Sequence, residues 1–348
     1  MTALQDCLSR LDGKPQLTAE DALALRRIIF GGDDAVSLEE AEALIQLNAD
    51  ARAVSPEWTV LFIEALTDFT VRQQAPNGYV DETKANWLMG AVSRGDHARE
   101  DEIDLLIHVL DQADRAPDSL SAFVLDQLRA DILPRAAEGI TEADVERLRL
   151  VLFAVGGASN IAVSRDEANA LFDLNDAAQG APNAPTWSDF FARAIGNSVL
   201  YAPTWQAPSA AEELKMEAEL ADNSAFFKGF KALLHPREAA ELIRSPHESF
   251  YSEEQKRNLA DAALEAAAET VTSEEAAWLI ERIDRDGVFD AAERALVAFL
   301  VANARASDPA FQPLAARLPG VATPVASAFT ATDADTAPRA TFGRRAAS

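Results

Sequence analysis

Cysteine and histidine are scarce in this chain of 348 residues, which has one cysteine, Cys7, and four histidines. A single cysteine excludes an internal disulfide framework and any zinc site built from several thiolates. None of the histidines has the spacing of a helical metalloprotease motif. We interpret Cys7 as an incidental thiol, so no cysteine chemistry is expected.

Basic residues are too few to balance the acidic ones. Lys and Arg number 31 against 57 Asp and Glu, which gives a formal net charge of −26. Such a charge repels the phosphate backbone of nucleic acids and the anionic head groups of lipids. We therefore expect no nucleic-acid binding, and a protein partner or a cation instead.

No uncharged apolar run reaches the length of about 18 residues that a transmembrane helix needs. The first residues, MTALQDCLSRLDGK, have no basic stretch followed by an apolar core, and so they do not resemble a secretory signal. The sequence predicts a cytoplasmic protein without direct membrane insertion.

Motifs typical of catalysis are also missing. The chain has no phosphate-binding glycine loop, no serine elbow and no dinucleotide fingerprint. Paired carboxylates carry little information in so acidic a chain. The remaining catalytic candidates are His235 and His247, so an enzyme with a site in their region is the third of our functional hypotheses.

The chain repeats itself. VDETKANWLM from Val80 resembles VTSEEAAWLI from Val271, and LTAEDALALRRIIF from Leu17 resembles ITEADVERLRLVLF from Ile140. These segments define four copies of a unit of about 50 residues. The first copy resembles the third and the second resembles the fourth, so the duplicated unit is a pair of copies.

Apolar residues within each copy recur every three or four residues, which is the period of an α-helix. In the first copy the apolar stripes begin at Leu25, Leu38 and Leu61, and glycine and proline lie between them. No segment alternates with the two-residue period of a strand. The sequence predicts an all-α protein with three helices in each copy.

These observations predict two tandem helical-bundle domains, each made of a pair of copies. A leader covers residues 1–16, the first domain 17–136 and the second 137–318. The second domain has a helical insertion at about 202–266, because the spacing between corresponding residues grows there. Trp205 in this insertion has no counterpart and is our candidate for a partner contact. Residues 319–348 have few large apolar side chains and are predicted to be a disordered tail.

A polar turn lies between the first two helices of each copy. In three copies it matches the capping box, in which side chains and backbone amides at a helix start bond reciprocally. These pairs are Ser37 with Glu40, Ser164 with Glu167, and Asp290 with Glu293. The second copy has Arg99 at the capping position before Glu102, so we expect it to depart from this rule.

The turn of the fourth copy, DRDGVFDAAER, is rich in carboxylates, which suggests cation binding as the alternative to capping. When Gly287 is aligned with the glycine of an EF-hand loop, four acidic residues fall at ligand positions, but Arg282 falls at the first one. The candidate metal ligands are Asp284, Asp286, Asp290 and Glu293 in the fourth copy, and Asp33, Asp34 and Glu40 in the first.

This turn also carries a family resemblance. Asp286 and Gly287, followed by an apolar residue, a capping residue and Glu293-Arg294, resemble the DG-x-V-S-x-x-E-R signature of tellurite-resistance TerB-like domains. The resemblance implies a compact all-helical domain of about one pair of copies. It also implies an association with metal or stress responses, with acidic residues suspected of binding metal.

Our leading functional hypothesis is a non-enzymatic helical interaction or adaptor module in a stress- or envelope-related bacterial assembly. The alternative is a divalent-cation sensor or buffer, for calcium or another metal, that uses the acidic turns.

Overall fold

A computed structural model describes residues 3–31, 35–93, 98–153, 163–200 and 269–318. Regular structure in these ranges is almost entirely helical, which confirms the all-α prediction. Several predicted features lie outside the described residues: the insertion at 202–266, the tail at 319–348, Asp33, Asp34, Trp205, His235 and His247.

Seven helices belong to the described part of residues 3–138. They are α1 (Ala3–Leu11), α2 (Ala19–Ile29), α3 (Leu38–Asp50), α4 (Pro56–Thr67), α5 (Glu82–Val92), α6 (Glu100–Gln112) and α7 (Asp118–Ile132). A π-helical turn, Asp68–Gln73, continues α4, and a 3-10 turn, Leu133–Glu138, follows α7.

Six helices belong to the described part of the remaining chain. They are α8 (Glu142–Leu152), α9 (Arg165–Ala177), α10 (Trp187–Leu200), α11 (Ser273–Ile283), α12 (Ala291–Asn303) and the short α13 (Gln312–Ala315). A 3-10 turn, Pro309–Phe311, precedes α13. We call the first and second copies the first half of the chain, and the third and fourth copies the second half.

Two small parallel sheets join the segments before the first and third helices of a copy, although the sequence gives no strand signal. The strands β1 (Gln16–Leu17) and β2 (Ala53–Val54) pair in the first copy, and β3 (Thr270–Val271) and β4 (Ala306–Ser307) pair in the fourth. Strands of two residues are too short to show a period of two, so periodicity could not predict them.

A backbone hydrogen bond at the same place recurs in three copies. The amide groups of Ser55, Ala184 and Asp308 donate to the carbonyl groups of Leu17, Ile140 and Val271, respectively, at 2.9, 2.7 and 2.8 Å. The second copy has Pro117 at this position, which has no amide hydrogen to donate. A bridge between Tyr79 and Arg115 joins the two segments there instead.

Large side chains at one repeated position fill the core. Trp58, Leu120, Trp187 and Phe311 follow the start of the third helical segment of each copy, and all four are at most 1 % exposed. In both halves the third helix of one copy packs on the second helix of the next, as α4 on α6 and α10 on α12. The core that these contacts form is continuous through the described residues.

Helix α1 packs on α2 and α3, much as α7 packs on α8 and α9. Leu4, Cys7, Leu8 and Leu11 make its buried face, so the single thiol of the chain lies in the core. The predicted leader therefore contains a packed helix.

Ion pairs connect the two halves. The Arg147 side chain contacts Glu100 and Asp104 of α6, at 2.7 and 2.8 Å. Arg135 contacts both oxygen atoms of Asp144, whose side chain is 1 % exposed. Among the described helices, none has the length and apolarity required to cross a membrane.

Candidate functional site

Four buried glutamates occupy the repeated polar turns. Glu40, Glu102, Glu167 and Glu293 are between 1 and 8 % exposed. Each carboxylate accepts a hydrogen bond from the backbone amide three residues earlier, at 2.8 or 2.9 Å. The helix-capping function predicted for these turns is therefore present in all four copies, including the one in which the sequence pattern departs from the rule.

The second copy achieves capping with different residues. Its Arg99 amide donates to Glu102, but an arginine side chain cannot accept the reciprocal bond. Asp101 accepts the Glu102 amide instead, at 3.1 Å. The Arg99 guanidinium contacts the carbonyl groups of Asn48 and Ala51 at the end of α3, where a cation is favoured by the helix dipole.

Each half also contains a chain of hydrogen bonds that links two copies, buried in the first half and partly buried in the second. In the first half Trp58 Nε1 donates to Asn48 Oδ1 at 3.0 Å, and Asn48 Nδ2 donates to Asp101 Oδ2 at 3.0 Å. We call this arrangement of tryptophan, asparagine and aspartate a joint. It connects the second and third helices of one copy to the capped end of a helix in the next.

The second half has a joint of the same form. Trp187 Nε1 donates to Asn175 Oδ1 at 2.9 Å, and Asn175 Nδ2 donates to Asp290 Oδ2 at 2.7 Å. Asp290 also caps α12 by accepting the Glu293 amide at 2.9 Å. Asp101 and Asp290 therefore perform the same two functions, although they stand one and three residues before their capping glutamates.

Sequence reasoning assigned the tryptophans to packing and missed the asparagines. Asn48 and Asn175 stand at the same distance after Glu40 and Glu167, so the repeat itself contains the signal. It could not reveal the aspartates, because these occupy different places in the two halves.

Another repeated amide contact was also missed. Side-chain oxygens of Gln73, Gln127 and Asn197 accept the backbone amides of Val36, Ala98 and Val163, at 2.8, 2.9 and 2.7 Å. Each of these amides belongs to the residue just before a helix cap. The contact fixes the entry into the second helix of three copies.

The acidic turn of the fourth copy has internal partners for its carboxylates. Asp284 forms an ion pair with Arg317 at 2.6 Å. Asp286 accepts the Val288 amide at 2.8 Å and a further hydrogen bond from Gln179. Together with capping by Asp290 and Glu293, these contacts account for all four candidate ligands of this copy.

Arg282, the residue that disturbs the EF-hand alignment, lies in the last turn of α11 and contacts Asp173 at 2.7 Å. Arg129 of α7 and Arg285 contact the same carboxylate at 2.8 and 3.1 Å. Burial alone would raise the pKa of Asp173, but its hydrogen bond and attraction to Arg282 hold that pKa below the usual value.

Negative charge is concentrated at the start of α12. Burial, and after it the nearby carboxylates of Asp290, Asp286 and Asp176, raise the pKa of Glu293 to about 8, against the lowering effect of its backbone hydrogen bond. The pKa of Asp176 is also raised, first by burial and then by the charge of Asp286.

Within the described ranges, no three histidine, cysteine or acidic side chains are grouped as metal ligands. Of the candidates in the first copy, Glu40 caps α3 together with Ser37, while Asp33 and Asp34 lie outside those ranges. The arrangement at the fourth-copy turn is chemically suited to capping a helix and to holding a proton on Glu293.

Comparison of this chain with known protein families, curated proteins and solved structures finds no match.

Proposed function

We propose that this chain is a non-enzymatic helical interaction module with two tandem domains, each a pair of three-helix copies. The domain arrangement and the TerB-like resemblance belong to this proposal. So do a cytoplasmic location and a role in a stress- or envelope-related assembly.

The joints are the observation that supports the proposal most. In both halves the recurring polar side chains bond to one another or to helix ends, so they stabilise a scaffold. Asn48 and Asn175 each satisfy a buried tryptophan and a carboxylate at once. Because these recurring residues are used for folding, we expect a partner to be bound by residues in which the two halves differ.

One such difference lies on the outer face of α2 and α4. Leu23 and Val60 are each 50 % exposed. The two helices begin at the paired strands β1 and β2, and Arg26 contacts Glu64 at 2.6 Å. Leu23 and Val60 therefore lie at the same level along the two neighbouring helices. The corresponding residues of the second half are Glu146 and Asp189.

This face fits a protein partner with an apolar anchor beside basic residues. Glu20 and Glu57 stand one helical turn before Leu23 and Val60, and the net charge of the chain is −26. Apolar contact would supply affinity, and charge complementarity would steer the encounter.

The test is a photo-crosslinking residue at position 60 in the full chain, used in lysate of the native host. We expect a discrete adduct with the crosslinker at position 60 and also with the crosslinker at the neighbouring position 57. Leu23→Glu should abolish the adduct formed from position 57. Val288→Asp, which changes an exposed apolar residue elsewhere, serves as the control.

A parallel deletion of residues 202–266 shows whether the predicted contact at Trp205 is needed. Adducts that are insensitive to Leu23→Glu would refute this surface.

A divalent-cation sensor or buffer is the second candidate, because burial and then the acidic side chains around Glu293 raise its pKa to about 8. A cation at this turn would relieve the repulsion between them. Calorimetric titration with calcium, magnesium and zinc tests it. Heat that disappears in Asp286→Asn and in Asp286→Ala with Glu293→Ala would support the sensor, and absence of heat in the wild type removes it.

A further inference from the structure

A polar cleft of about 330 Å³ lies between α2, α4, the π-helical turn and α6. Its volume is within the range of small-ligand sites. The residues that line it are Arg26, Phe30, Glu64, Thr67, Asp68, Arg72, His108 and Gln112. None of them was a candidate site residue in the sequence.

The walls carry two cations and two anions in paired positions. Arg26 contacts Glu64 at 2.6 Å, and Arg72 contacts Asp68 at 3.6 Å. Arg72 also donates to Gln112 Oε1 of α6 at 3.3 Å. The guanidinium groups approach from α2 on one side and from the π-helical turn on the other.

Thr67 marks the floor of this cleft. It is 4 % exposed, and its hydroxyl group has no hydrogen-bond partner among the described residues. An unsatisfied buried hydroxyl carries a desolvation cost and is rare in folded proteins. Thr67 ends α4 where the backbone changes to a π-helical turn, and such turns are frequent at functional sites.

The second half fills the equivalent space. Gly196 and Phe299 correspond to Thr67 and His108. The Phe299 ring lies so close to Gly196 that an added Cβ atom would be 2.4 Å from it. The same crossing of two helices is therefore closed by an apolar ring in one half, and is lined by polar groups in the other.

We propose that this cleft binds a small zwitterion with a carboxylate and an ammonium group, the chemistry of a free amino acid. A ligand with only one charge would face two like charges of the walls. A zwitterion instead gives a guanidinium partner to its carboxylate and a carboxylate partner to its ammonium group. Phe30 gives an apolar contact at the edge of the cleft. This site would make the proposed interaction module responsive to a metabolite.

The test is calorimetric titration of the full chain with each free proteinogenic L-amino acid. For every amino acid that binds, two derivatives are titrated as well: the amide, which lacks the carboxylate charge, and the N-acetyl derivative, which lacks the ammonium charge. We expect binding of at least one amino acid at one site per chain, and about tenfold or greater weakening for both derivatives, as for the loss of a charge-assisted hydrogen bond.

Two sets of variants locate the site. Thr67→Gly with His108→Phe installs the pair found in the second half and should abolish the heat. Arg72→Gln should weaken binding about tenfold, whereas the matched Arg193→Gln should leave it unchanged. Arg193 forms an exposed pair with Asp189 outside the cleft. Because Arg72 is 65 % exposed, Arg72→Gln gives an answer even if the double variant does not fold.

Three results would overturn the proposal: no heat with any amino acid, equal affinity for the amide or the N-acetyl derivative, and wild-type binding by Arg72→Gln or by the folded double variant.

Discussion

Single residues in this protein combine a capping function with an unusual electrostatic environment, and Glu293 is the clearest case. The residue is 1 % exposed, and its carboxyl group lies near three aspartates. The position is constrained because helix α12 needs an acceptor there for the Asp290 amide. The cost of burying a charge is avoided when the carboxyl group keeps its proton.

The raised pKa of Glu293 predicts how stability depends on pH. Between the unfolded value of 4.5 and the folded value of about 8, the folded protein binds one more proton than the unfolded chain. The contribution of this group to stability is therefore greatest below pH 4.5 and falls as the pH rises toward 8. Glu293→Gln should remove this dependence and stabilise the protein by up to about 3 kcal/mol at neutral pH.

Urea denaturation at several pH values measures this effect. Glu167→Gln, at the equivalent place in the third copy, is the control for replacing a capping carboxylate by an amide. The same pH dependence in Glu293→Gln and in the wild type would contradict the assignment.

Asn48 illustrates a residue whose importance comes from the two groups that it satisfies. Asn48→Ala leaves Trp58 Nε1 without its acceptor and removes the shorter of two hydrogen bonds to Asp101 Oδ2, which keeps the 3.4 Å bond from Arg99; Asn48, Trp58 and Asp101 are all buried. We expect a loss of about 2 to 3 kcal/mol of unfolding free energy. Asn169→Ala removes a similar bond from Trp278, which is only half-buried, and should cost about 1 kcal/mol. Thermal or chemical denaturation measures both variants. Equal losses of unfolding free energy in Asn48→Ala and Asn169→Ala would show that the joint contributes no more to stability than a single partly buried bond.

At the scale of secondary-structure elements, the segments that connect the copies carry polar contacts as specific as those within the helices. The 3-10 turn after α7 directs Arg135 at Asp144, where the guanidinium bonds to both carboxylate oxygens at 2.7 and 2.8 Å. Asp144 simultaneously caps α8 through Thr141. Burial alone would raise the pKa of Asp144, but Arg135 and Thr141 hold it below the usual value.

Replacement of Arg135 therefore removes the cationic partner of a buried carboxylate, which keeps its hydrogen bonds from Thr141. Arg135→Met should reduce the unfolding free energy by about 3 kcal/mol, because Asp144 keeps its desolvation cost and loses its cationic partner. Arg193→Met breaks an exposed pair with Asp189 and should cost less than about 0.5 kcal/mol. Chemical denaturation near neutral pH compares the two, and similar losses would refute the role of burial.

At the scale of the whole molecule, the two halves share one core and several ion pairs. Helices α7 and α8 pack together, and Arg129 of the second copy contacts Asp173 of the third at 2.8 Å. Opening one half would expose apolar surface of the other, which favours joint unfolding.

Hydrogen exchange followed by mass spectrometry tests this coupling. We expect the most protected amides of α6 and α10, one helix from each half, to exchange with the same free energy of opening. Arg129→Gln should lower both values together. Two clearly different free energies in the wild type would show that the halves unfold separately.

Local patterns in the sequence predicted the helices of the copies and three of the four caps, but not helix α1 in the predicted leader or the cap of the second copy. Apolar residues at three- and four-residue spacing predict helices because the α-helix turns every 3.6 residues. The capping pairs were predictable for a similar reason, since their partners stand only three residues apart. The repeat also placed Trp58 and Trp187 correctly in the core.

The contacts between distant residues depended on the tertiary structure. Asp101 and Asp290 reach equivalent asparagines from different sequence positions, and Arg99 finds carbonyl groups at the end of another helix. The polar cleft beside Thr67 exists because α4 and α6 cross where His108 stands in place of an apolar ring. Helix formation depends on neighbours along the chain, whereas joints and cavities depend on how helices pack, which local spacing does not encode.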